Sequence, residues 1–497
     1  MNAAYEIYRE LLRKLADVQY AMGVLNWDQE TYMPPAGAEL RAQQISTLSG
    51  IAHNMSTSAE LEEILLKLEK DPSLEEKEKR NIVQSLKNLR LNKKYSQAFV
   101  ETMSMAVSEA FTAWQKAKEA NNFSLYAPAL EKLIRLKREE CTLAGYTGHP
   151  YDALLDQYEP GAKTADLVVL FSDVRSQLVE FVRRIAACPQ NPDEFMYLHY
   201  PKSKQWDFGI ELLKQMGYDF DAGRQDISSH PFTTNFGSRD VRVTTRISEN
   251  NLNEMIWSCI HEGGHALYEQ GLPFSEYGLP SGEYISLGIH ESQSRLWENN
   301  VGRNLPYWKH NFPKLQAVFP ENLKGVTPID FFKAINKVHP SLIRTNADEL
   351  TYHFHILIRF EIEKALIEGS IEVKDLPSLW NSKYKEYLGL DVPSDSKGVL
   401  QDIHWSHGSL GYFPTYSLGS FYAAQFYAKA KAEIPSLEME IEKGNLKPLL
   451  DWLRLKIHAL GKFYTAEDLC INICGEKLNF KYFMDYAKAK YGGLYPL

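Results

Sequence analysis

The chain has 497 residues, is 44% hydrophobic and carries a formal net charge of -9. Such a length supports a large buried core, and the acidic balance, with no basic patch interleaved with aromatics, argues against nucleic acid as the main partner. No basic-then-apolar leader is visible, no apolar run reaches the length of a membrane span, and five scattered cysteines form no disulfide framework. The expectation is a cytoplasmic protein with reduced thiols that binds neither nucleic acid nor membrane.

Helical periodicity dominates from the start. Tyr5, Tyr8, Leu11, Leu12, Leu15, Val18 and Met22 form one apolar stripe, Pro34, Pro35 and Gly37 interrupt it, and a second helical run begins near Glu39. The charge-rich stretch from Leu61 to Leu91 reads as a solvated helix pair at the surface. Further helical patterns cover roughly 95–145, 163–187, 205–217, 328–368, 374–388, 417–432 and 435–489. One segment departs from this habit. His230–Phe236, the turn Gly237-Ser238-Arg239 and Asp240–Ile247 read as a β-hairpin with β-branched arms. Beside a metal helix, such a strand edge suits pairing with a peptide backbone. No repeat or low-complexity linker marks a boundary, so residues 1–497 are expected to form one catalytic unit.

His261-Glu262-Gly263-Gly264-His265 follows the hairpin within a helical stripe of Leu252, Met255, Ile256, Cys259, Ile260 and Leu267, and Gly271 with Pro273 reads as its stop. Residues four apart share a helix face, so the two imidazoles can hold one metal ion, and Glu262 can take a proton from a water that the metal activates. Two consecutive glycines cost about 1 kcal/mol each relative to alanine, which signals a place where substrate or another backbone comes close. The third ligand is not a histidine in the metzincin pattern, because Tyr268 and Gly271 stand where that pattern needs Gly and His. On the following predicted helix, Tyr284–Trp297, Glu291 is the candidate and His290 its competitor, with Glu291, Arg295 and Glu298 on one face. Cys470 and Cys474 share a helix face but lack partners for a structural zinc site.

With these motifs the chain resembles the carboxypeptidase Taq family of metallocarboxypeptidases. The resemblance rests on His261–His265 followed by His290-Glu291-Ser292-Gln293. It also rests on His230-Pro231-Phe232, on Asp240–Thr244, on Ile343–Asp348, on Gly398–Trp405 and on Trp27–Pro34, so that it spans essentially the whole chain. It implies a mainly α fold of the gluzincin-like, neurolysin-type helical architecture, with a long substrate groove, a small β-hairpin beside the zinc-binding helix, and homodimers. It implies one Zn2+ per chain, with Co2+ as an alternative, held by His261, His265 and Glu291. The implied activity is removal of single C-terminal residues from peptides with broad preference. Arg344 is then the clamp for the terminal carboxylate, since a guanidinium fork meets both oxygens; by residue type alone, Arg242 and Arg295 would also serve. His404 and Tyr416 are the next substrate-binding candidates, as donors to the oxyanion or the carboxylate, and His230, Asp240 and Arg242 complete the set. His353, His355 and His407 read as structural or as supports behind the site residues. A zinc endo-oligopeptidase would share the ligands and Glu262 without needing the clamp. An aminopeptidase lacks support because no Gly-x-Met-Glu-Asn-type segment precedes the hairpin. A non-catalytic peptide-binding scaffold fits poorly with an intact ligand set and base.

Overall fold

A computed structural model describes residues 2–496, and they are mostly helical with one three-stranded sheet. The chain divides into two compact units, each assembled from three separate stretches. One takes the N-terminal stretch through Asn92, Pro192–Ile335 and Tyr422–Leu478; the other takes Lys93–Asn191, Asn336–Phe421 and the stretch from Asn479. Among the described residues no helix is long and apolar enough to cross a membrane.

In the first unit, the apolar stripe of the helix Ala3–Thr31 buries Tyr5, Tyr8 and Leu12. They pack against Leu61, Leu65, Leu68, Leu74, Ile82, Leu86 and Leu89. The charge-rich stretch is thus two helices, Ala59–Leu68 and Glu76–Asn92, solvated on one side and packed on the other. The hairpin forms as expected: β2 (Thr233–Asn235) pairs antiparallel with β3 (Val241–Thr245). A strand absent from the sequence reading, β1 (Gly223–Ile227), joins β3 in parallel, giving the order β1-β3-β2. Gly-Arg-Gln-Asp-Ile carries little strand signal; its place is set by tertiary contact instead. A Cβ on Gly223 would sit 2.1 Å from both the Tyr218 hydroxyl and the Val241 carbonyl, so only glycine fits there.

The helix Leu252–Gly271, here the His261 helix, is capped by Asn251, whose side chain accepts from the Asn253 amide, and it ends at Gly271 as expected. It packs on β3, on the helix Lys202–Met216 and on the helix Leu287–Arg295, here the Glu291 helix. The paired glycines explain the close packing. A Cβ at Gly263 would meet the Leu213 methyl at 2.7 Å, and one at Gly264 would meet Ser294 Cα at 2.7 Å and the Gln293 carbonyl at 2.8 Å. The backbone that comes close is therefore the one carrying Glu291. A π-helical turn, Leu296–Gly302, follows the Glu291 helix directly.

The helical expectations need correction at several points, the pattern over 95–145 being two helices, Gln97–Glu119 and Ala127–Ala144. The pattern over 328–368 is two helices, Pro328–Ile335 and Tyr352–Glu368. Between them Asp348 accepts the amides of His339, Leu350 and Thr351, which competes with continued helix. The pattern over 435–489 is four helices, with Gly444 and Gly475 in left-handed conformation at two of the breaks. The helix Leu305–Val318, with Pro306 in its first turn, lies outside the patterns read from sequence.

Candidate active site

In the first unit, His261, His265 and Glu291 bring one donor atom each within 4.8 Å of one another. Glu291 Oε2 lies 3.7 Å from His261 Nε2 and 3.4 Å from His265 Nε2. Tetrahedral bonds of about 2.0–2.2 Å to N and O would separate ligands by about 3.3–3.6 Å, and the two Glu291 separations lie close to that range for a divalent ion such as zinc. The far side of each ligand is also engaged. His261 Nδ1 is 2.8 Å from Glu298 Oε2. His265 Nδ1 is 2.6 Å from His290 Nδ1, and His290 Nε2 is 2.7 Å from Glu269 Oε1. Glu291 Oε1 accepts from Arg295 Nε at 2.7 Å, and its Oε2 accepts from Ser294 Oγ at 3.0 Å. Arg295 and Arg303 both donate to Glu298. His290, the competitor for third ligand, is thus occupied at both ring nitrogens outside the donor group.

The electrostatics follow from this crowding. Burial raises the cost of charge on Glu291 and Glu298, yet Arg295 and the neighbouring histidines, with Arg303 beside Glu298, together outweigh it, and both carboxyls are held far below the usual range. Burial and the neighbouring His290 push His265 down to about 3, so this imidazole is neutral. His261 is buried too, but Glu291 and Glu298 overcome burial and raise its pKa. Glu262 is raised above the ordinary carboxylate value, chiefly by burial, against the opposing pull of His261 and Thr233. Its Oε2 accepts from Thr233 Oγ1 of β2 at 2.7 Å. The hairpin therefore positions the candidate base directly, a function its sequence did not announce.

Asp240 and Arg242 also lie on the hairpin, and they are engaged with each other. Arg242 Nε and Nη2 donate to the two Asp240 oxygens, both at 2.8 Å. The guanidinium stands 4.4 Å from the Trp27 ring centre and 4.9 Å from that of Phe236, which accounts for the Trp27 motif as a packing partner. His230 is exposed in the turn before β2, where its carbonyl accepts from Ser228 Oγ at 2.6 Å.

In the second unit, Arg344, His404 and Tyr416 come together around Asp402. Arg344 donates from Nε to Asp402 Oδ1 at 3.0 Å and from Nη1 to the Tyr352 hydroxyl at 3.0 Å, and its guanidinium lies 5.1 Å from the Tyr416 ring centre. Arg359, fully buried, donates to the other Asp402 oxygen at 2.6 Å. Burial opposes charge on Asp402, but the two guanidiniums hold it far below the usual carboxylate range. His404 Nε2 is 3.2 Å from the Tyr416 hydroxyl, and burial with the adjacent Arg344 pushes this histidine down to about 3. His353 bonds Ser417 and His355 bonds Tyr384, in keeping with structural roles, while the His407 ring rests against Phe111. The residues missed from sequence are Thr233, Glu269, Tyr352 and Arg359. Of these Glu269 alone carried a local signal, since 261, 265 and 269 repeat at four-residue spacing on one helix face.

Known proteins resemble this chain over nearly its whole length. The family model described as carboxypeptidase Taq (M32) metallopeptidase matches residues 7–491. Carboxypeptidase 1 of Bacillus subtilis is 41% identical over 490 residues, covering 98% of both chains. Thermostable carboxypeptidase 1 of Thermus thermophilus is 40% identical, covering 99% of both chains. The crystal structure of the M32 carboxypeptidase from Deinococcus radiodurans R1 superposes with a TM-score of 0.98 at 36% identity, covering 100% of both chains. The chain therefore belongs to the carboxypeptidase Taq (M32) metallopeptidase family and is a metallocarboxypeptidase, a peptide hydrolase.

Proposed function

We propose that His261, His265 and Glu291 hold a single zinc ion, that Glu262 is the general base, and that Arg344 receives the C-terminal carboxylate of the peptide. The observation that carries this reading is the convergence of three donors within 4.8 Å, beside a buried carboxylate that Thr233 holds in place. Cobalt also accepts nitrogen and carboxylate donors, so it is the alternative occupant. A divalent ion held there supplies Lewis acidity, which polarises a scissile carbonyl and acidifies a water. Glu262 takes the proton from that water and delivers it to the leaving amine. His404 and Tyr416 offer donors beside Arg344, and Tyr352 steadies the guanidinium. Arg344 with these neighbours sets the register, so that only the last peptide bond is cut, with broad preference for the side chain removed. Residues 1–497 are taken to work as one catalytic unit, in the cytoplasm and as a homodimer. Metal analysis of the purified protein tests the first claim. About one zinc or cobalt per chain, lost in His265→Ala and kept in Glu262→Gln, is expected; equal metal in wild type and His265→Ala contradicts the ligand set.

A further inference from the structure

The two metal-ligand histidines are supported differently. His261 has a carboxylate, Glu298, directly on its far nitrogen. His265 instead has an imidazole there, and the carboxylate Glu269 lies one ring further out. A ligand imidazole presents a lone pair, so with Nε2 of His265 turned towards Glu291 its proton sits on Nδ1. Nδ1 then donates to His290 Nδ1, which must accept. His290 in turn carries its proton on Nε2 and donates to Glu269. Each bond has one allowed direction, and all run away from the metal site.

The His290 ring is also held mechanically. It lies edge to edge beside the His265 ring, with ring centres 4.5 Å apart and an interplanar angle of 30°. Tyr284 meets it edge-on at 5.0 Å, and Tyr268 lies at 5.5 Å on the His261 helix. His290 precedes Glu291 in the chain, so one helix supplies a ligand and braces another.

We propose that His290 and Glu269 are positioning residues for the metal centre, fixing the ring plane and tautomer of His265 through a two-step hydrogen-bond relay. This inference rests on the metal-ligand set proposed above. Outer partners of metal-bound histidines are typically worth about 10–100-fold in metal affinity. A purely structural link between two helices would instead lower folding stability and leave affinity alone.

The test is zinc affinity of metal-free protein, measured by competition with a chromogenic chelator, beside thermal melting of the same metal-free samples. His290→Phe and Glu269→Ala are each expected to weaken zinc binding about 10–100-fold with melting close to wild type. Glu269→Gln, whose amide oxygen still accepts, should fall between Glu269→Ala and wild type. The double variant His290→Phe/Glu269→Ala should bind no more weakly than His290→Phe alone, because the two act in series. Unchanged affinity in both single variants, with lowered melting, overturns the relay. Wild-type affinity in His265→Ala overturns the ligand set itself.

Discussion

The two polar clusters of this chain are opposite in charge balance. Around the His261 helix, the carboxyls of Glu262, Glu269, Glu291 and Glu298 outnumber the guanidiniums of Arg295 and Arg303. Around Asp402 the imbalance reverses, with Arg344 and Arg359 sharing one carboxylate. Glu363, pushed up to about 7 by burial, is held there by Tyr151, Trp405 and the Gly411 amide, and bonds neither arginine. Buried charge is tolerated only when compensated. On the function proposed above, the first cluster would receive a cation and the second the carboxylate of a peptide C-terminus.

The largest expected effect comes from the candidate base in the acidic cluster. Glu262→Gln should retain metal while kcat/KM falls by about 10²–10⁴-fold; near-normal turnover in a metal-replete sample would remove Glu262 from the chemistry. In the basic cluster, Asp402→Asn leaves two buried guanidiniums without their carboxylate. A loss of about 3–5 kcal/mol in denaturant unfolding is expected, as for other broken buried pairs. The pH dependence carries a definite sign. Because the folded-state pKa of Asp402 is depressed, its stabilisation is fully present above the unfolded value of about 3.9 and is lost as pH falls below it. Wild type should therefore lose stability more steeply than Asp402→Asn below about pH 4, and parallel curves would show that the pair contributes nothing. The smallest effect expected is from Thr233→Val. Removing the hydroxyl on Glu262 costs about 1–3 kcal/mol of interaction, which should lower kcat about tenfold or more with KM little changed; a change in KM alone would move Thr233 from the base to substrate binding.

Much of the acidic cluster was legible in sequence because its parts are close in sequence. His261, Glu262 and His265 are fixed by helix spacing, and Glu291 lies on the next helix. The glycine pair pointed to a close backbone, and Gly264 against Gln293 and Ser294 is that contact. Glu298 shares a helix face with Glu291 and Arg295, but its bond to His261 is a tertiary contact that no local period announces. The basic cluster was far less legible. Asp402 lies 58 and 43 residues from the arginines it joins, and no local period relates them. Arg344 emerged from family resemblance rather than from spacing. Strand β1 was hidden for a similar reason, since its residues are polar and their register is set by β3.

The most direct test of the account compares a peptide having a free C-terminus with its amidated twin, followed by mass spectrometry for wild type and Arg344→Ala, with and without a chelator. The expected result is a chelator-sensitive ladder of single C-terminal losses from the free peptide. The amidated twin should react at least about 100-fold more slowly, as for a site built around a missing polar group, and Arg344→Ala should bring the two rates close together by slowing the free peptide. Equal cutting of both peptides by wild type, or an equal loss for both in Arg344→Ala, would contradict the pairing of a cation site with a carboxylate clamp.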